Sequence, residues 1–213
     1  MNMKFKLILA TLVVSALAFG QSLPLAGGVV PEADGVYQVH PLSNLNIGDS
    51  FVNLTNAGTL NGFDPAGRIC VNVYAFSPDE QLISCCSCPV TPNALNSLSA
   101  KNDLISNTLT PAVPTSITVK LLSSLPLPGG TCNPSSPNAA NLVRGMRAWA
   151  TTNHAQPTSP VTFQASETEF SKVELSATEL SKLTGFCAFI QANGSGFGIC
   201  KACRLGGLGA IAQ

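Results

Sequence analysis

Residues 68–89, RICVNVYAFSPDEQLISCCSCP, constrain the fold more than any other stretch, because they hold four of the chain's eight cysteines in what reads as one β-hairpin. From 69 to 76 the residues are mostly apolar or β-branched. Strand alternation puts Ile69, Val71, Val73 and Ala75 on one face and Cys70, Asn72, Tyr74 and Phe76 on the other. Few of these side chains suit water, so both faces read as covered, as in a sandwich strand. Ser77-Pro78-Asp79-Glu80 has the chemistry of a type I turn, and residues 82–88 form the return strand. A loop with an odd number of residues sets Cys70 opposite Cys86 or Cys88, where a cross-strand disulfide is within reach. An even loop sets Cys70 opposite Ser87 and removes it.

The start of the chain places that hairpin in an oxidising compartment. Residues 1–6 carry Lys4 and Lys6 and no acid, 7–19 are almost wholly apolar, and Ala18-Phe19-Gly20 supplies small residues at cleavage spacing. Residues 1–20 therefore read as a secretory signal peptide. An apolar run of about 13 residues is short of the roughly 20 that a membrane span needs, and no later segment is long enough once the leader is gone. Its removal takes Lys4 and Lys6 and leaves nine basic residues against 11 acidic. With charged residues at only 10% of the chain, there is no basic patch to neutralise phosphates, which argues against a nucleic-acid partner. Eight cysteines, an even number, then read as disulfides: Cys70, Cys85, Cys86, Cys88, Cys132, Cys187, Cys200 and Cys203 are all candidates.

Along the mature chain, 21–48 is rich in Pro and Gly without clear periodicity and reads as an extended lead-in that contains His40. Strand patterns follow at 50–56, in the hairpin, at 116–122, at 143–152 with an irregularity at Gly145, and at 169–175. Weaker candidates stand at 103–105 and 108–109. At Ser176 the period changes. Ser176-Ala177-Thr178-Glu179 is a capping box, Leu180, Leu183, Cys187 and Ile190 form one helical stripe, and Asn193-Gly194 ends it. The expected fold is mainly β: a two-layer antiparallel β-sandwich, Ig-like in architecture, over 49–175. One C-terminal helix and a Cys/Gly-rich tail, 176–213, pack on it. Cys187 is expected to pair with Cys200 or Cys203, because the glycines from Gly194 onward let the tail fold back.

Few constellations suggest chemistry. Cys85 and Cys88 form one Cys-x-x-Cys and Cys200 and Cys203 another, and together they could build a tetrahedral zinc site or a redox pair. The two motifs are far apart for zinc knuckles, neither opens a helix as a redox motif does, and Pro89 and Arg204 stand where haem attachment needs histidine. His40 and His154 come with no nucleophile-elbow spacing. Glu167, Glu169 and Glu174 read as a solvent face. The loop 194–198 follows a helix and lacks the lysine of a phosphate loop. Trp149, Tyr74 and the phenylalanines either fill the core or form an aromatic platform for sugars.

The motifs CCSCP at 85–89 and ANGSGFGICKAC at 192–203 resemble those of exported bacterial β-sandwich-like proteins to which no activity is attached. That resemblance implies a family without implying a function. The sequence thus points to an exported, non-enzymatic structural or interaction protein, with no catalytic residue and no cofactor, whose partner is a protein or a cell-surface polymer. The alternatives are a carbohydrate or small-ligand binding module and a metal or redox protein built on the paired cysteines.

Overall fold

The computed structural model describes residues 35–156 and 159–201. The expected signal peptide, the lead-in as far as Asp34, Cys203 and the end of the tail lie outside the described residues.

Nine strands form two antiparallel sheets. β1 (Tyr37–Leu42), β3 (Ile69–Phe76), β4 (Leu82–Val90), β6 (Ile117–Ser124) and β9 (Ser171–Lys172) make one sheet, in the order β4-β3-β6-β1-β9. β2 (Phe51–Asn56), β5 (Leu95–Ser99), β7 (Met146–Gln156) and β8 (Ser159–Glu169) make the other, in the order β5-β2-β7-β8. The sheets pack face to face, as the sandwich reading expects. Between them lies a core that includes Val52, Leu54, Ile69, Val71, Val73, Leu98, Val119, Leu121 and Ala150. A second core, with Tyr37, Tyr74, Cys85, Leu122 and Leu175, lies on the outer face of the five-stranded sheet beneath α1 (Ala177–Asn193). β3 is therefore buried on both faces over seven of its eight residues.

The helix follows its sequence signals. The Ser176 side chain accepts from the Glu179 amide, Gly194 closes the last turn in the left-handed region, and Leu180, Leu183, Cys187 and Ile190 are the buried stripe. Residues 125–142 cover the rest of the outer sheet face. There Cys70 is bonded to Cys132, and the Tyr74 hydroxyl donates to the Pro134 carbonyl at 2.6 Å.

Several expectations are corrected. Part of the lead-in is β1, paired with β6 along its length and with β9 at Gln38 and Val39. Pro41 is tolerated because β9 does not extend that far and leaves β1 an open edge there. β5 takes the place of the strands expected at 103–105 and 108–109, and a single π-helical turn occupies Ala100–Leu104. The strand expected at 169–175 is mostly a crossing. β8 ends at Glu169, Phe170 turns into the core at 3% exposure, and Ser171 and Lys172 join β1 in the other sheet. Gly145, at φ +118, stands immediately before β7, and a Cβ there would sit 2.6 Å from Thr59 Oγ1.

Candidate functional site

The cysteine geometry follows from one extra residue in β4. Its hairpin loop is odd, one of the two cases the sequence left open, with Phe76 opposite Leu82. A bulge between that pair and the next sets Ala75 opposite Ser84, and the register stays shifted to the end of the hairpin. Cys70 consequently faces Pro89, and the disulfide to Cys86 or Cys88 allowed by the sequence is not formed. Cys70 instead bonds Cys132 across a Cα separation of 5.6 Å.

Cys85 and Cys86 are neighbours on a strand, so they point to opposite faces. Cys85 faces the helix and bonds Cys187 (Cα–Cα 6.0 Å), while Cys86 faces the inter-sheet core and bonds Cys200 (5.3 Å). The expected pairing of Cys187 with Cys200 or Cys203 is thereby overturned. The helix and the tail are each tied to β4, not to one another. Cys88 is also disulfide-bonded. The zinc set of Cys85, Cys88, Cys200 and Cys203 is broken by the same bonds, since the sulfurs of Cys85 and Cys200 are engaged with Cys187 and Cys86. Cys85 and Cys88 likewise do not form the internal disulfide of a Cys-x-x-Cys redox pair.

The tail reaches β4 through Gly198. The Cys85 amide donates to the Gly198 carbonyl at 2.9 Å, the Cys200 amide donates to the Cys85 carbonyl at 3.3 Å, and the Gly198 amide donates to the Asn107 carbonyl at 2.7 Å. A Cβ on Gly198 would stand 2.8 Å from Ile190 Cγ2, and its φ of +78 favours glycine. Glycine at this position lets the tail lie against both the helix and the edge of β4.

The histidines lie apart. His40 packs on the Phe170 ring, with centroids 5.1 Å apart, and burial holds its imidazole below the ordinary value. His154 is exposed on β7, with Nε2 2.8 Å from Ser166 Oγ, and among the described residues no carboxylate is bonded to its ring. That contact is a surface hydrogen bond between adjacent strands without an orienting acid.

Among the described residues, two surfaces set exposed aromatic rings beside a cleft. On the outer face of the four-stranded sheet a cleft of about 270 Å³ is bordered by Arg147, Trp149, Glu167, Glu169 and Lys172. Beside it a polar lane crosses the sheet. Ser97 Oγ donates to Asn53 Oδ1 (2.6 Å), Asn53 Nδ2 donates to Thr151 Oγ1 (3.1 Å), and Thr151 Oγ1 donates to Glu167 Oε1 (3.4 Å). Glu167 and Glu169, read as a solvent face, are exposed as expected, and the sequence did not show that they flank Trp149. Tyr74 is core, not platform.

The second surface is on α1. Phe186 and Phe189, one position before Cys187 and Ile190 of the buried stripe, are 48% and 66% exposed. With Leu82, Leu109 and Ile190 they form an apolar cleft, also of about 270 Å³. Sequence reasoning counted the phenylalanines only collectively, as core or sugar platform, and did not single out these two as an exposed helix face. The available signal was their three-residue spacing directly beside the buried stripe, which widens the apolar face of the helix past what the sheet can cover.

No family model, curated protein or solved structure matches the chain.

Proposed function

We propose that the chain is an exported, non-enzymatic interaction protein that meets a protein partner through the Phe186–Phe189 face of α1. The observation that carries this reading is the exposure of both rings on a helix held in place by the Cys85–Cys187 bond and by a buried stripe. Apolar surface on a mobile segment must be ordered before it binds, at a cost in entropy. On a stapled helix little of that cost remains. Large aromatic side chains at a rim of charged groups, here Glu80, Lys120 and Lys182 around Phe186, are the composition of a protein-docking surface. Export accords with three disulfides in the described residues, and among those residues no helix is long and apolar enough to cross a membrane.

A photoreactive phenylalanine analogue placed at Phe186 or Phe189, in the natural host, tests the proposal, with exposed Lys101 as the control position. A discrete crosslinked product from the helix positions and none from position 101 is the expected result. Equal labelling at all three positions would count against the reading.

A further inference from the structure

We propose that the Trp149 cleft binds a neutral pyranose chain. The inference concerns a different face from the helix surface and does not depend on it.

Trp149 is the only tryptophan of the chain and is partly exposed on the outer sheet face, opposite Asn53 on one side and Glu169 on the other. The C–H face of a pyranose ring is apolar and weakly positive, which suits the negative face of an indole, while its hydroxyls lie at the rim and need polar partners. Such partners ring Trp149. The side chains of Arg147 and Glu169 make no hydrogen bond or ion pair among the described residues, and a guanidinium and a carboxylate can each engage two neighbouring hydroxyls. Glu167 is already oriented by the lane from Ser97 through Asn53 and Thr151, so one wall is fixed before a ligand arrives.

Charge selects the ligand class. Two carboxylates, Glu167 and Glu169, balance two cations, Arg147 and Lys172, so the cleft favours a neutral polyol over a phosphate or a polyanion. Extent selects a chain over a single sugar. Phe51, 37% exposed, pairs with Thr151, two residues along β7 from Trp149, so the two aromatics are diagonal neighbours on one face, about 7–8 Å apart by sheet geometry. Phe51 stands outside the cleft itself and offers a second aromatic surface on the same face, which an extended chain can reach and a single sugar cannot.

Because Trp149 is unique, its fluorescence reports directly on this site. The full secreted protein would be titrated with cellotetraose and with chitotetraose, which share the pyranose face and differ in the acetamido group. Saturable change of emission with half-saturation on the order of 0.1–1 mM is expected for one or both. Chitotetraose alone would indicate a source with acetamido sugars, cellotetraose alone an unsubstituted glucan, and both the shared face. Glu169→Gln and Arg147→Ala, each checked for native circular dichroism, should weaken binding by about tenfold. The inference is overturned if neither sugar changes the emission at about 10 mM, if both variants bind as the parent does, or if calorimetry on a folded Trp149→Phe or Trp149→Ala variant shows undiminished heat.

Discussion

Glu179 illustrates how a residue that satisfies a local rule can be claimed by the tertiary structure. Its position three after Ser176 predicts a carboxylate turned back on the helix start, and the Ser176 half of that box is made. The carboxylate itself accepts from Lys120 Nζ at 2.5 Å and from the Tyr37 hydroxyl at 3.4 Å. Lys120 also lies 4.6 Å from the centre of the Phe76 ring. Tyr37 is pushed well above the usual phenol range by burial first, then by the Glu179 charge and its hydrogen bond. Tyr74 is pushed up by burial and then by Tyr37. These are the chain's only tyrosines. Unfolded phenols lose their protons near pH 10, whereas the native ones keep theirs. Above that pH the native state binds more protons, so stability falls as pH rises. Alkaline titration should therefore show no phenolate absorbance at about pH 10 and then a rise coincident with loss of circular dichroism. A gradual phenolate signal in the folded protein would contradict this.

Among the elements, the hairpin and the helix were the most legible in the sequence because each carries its own period, turn and cap. The strand Ile69–Phe76 and the stripe Leu180, Leu183, Cys187, Ile190 occur as read. The missed strands have a common cause. β5 is an edge strand whose Leu95 and Ser97 face solvent, the described side chains of β8 from Gln164 to Glu169 are all exposed, and β1 contains a proline. Runs this poor in apolar residues, or interrupted by proline, carry little alternation for periodicity to detect. The register was hidden for a different reason, since the extra residue of β4 between Leu82 and Ser84 has no glycine or other local signal to mark it. The Trp149 cleft was equally hidden, because β7 and β8 pair Trp149 with Glu169 across a distance no local rule spans. The helix supplies a prediction at this scale. Replacing Cys85 and Cys187 together by serine should lower stability by about 2–4 kcal/mol. Amide exchange should rise first in Ala177–Asn193, while β3, buried on both faces, stays protected. Uniform loss of protection across both elements would show that the bond is not what anchors the helix separately.

On the scale of the whole molecule, β4 is the strand to which the other layers are fastened. It is the edge of its sheet, and a strand edge left open invites pairing with other chains. The tail at Gly198 to Cys200 covers it, and the alternation of Cys85 and Cys86 sends one bond out to the helix and one into the sandwich. The three bonds join residues 62, 102 and 114 positions apart, so each restricts a long loop of the unfolded chain. The helix face proposed for binding is held in place by that fastening. Peptide mapping of the full chain without reduction, with thiols blocked beforehand, tests it most directly. The predicted map links Cys70 to Cys132, Cys85 to Cys187 and Cys86 to Cys200. A map joining Cys187 to Cys200, or Cys85 to Cys88, would contradict the account.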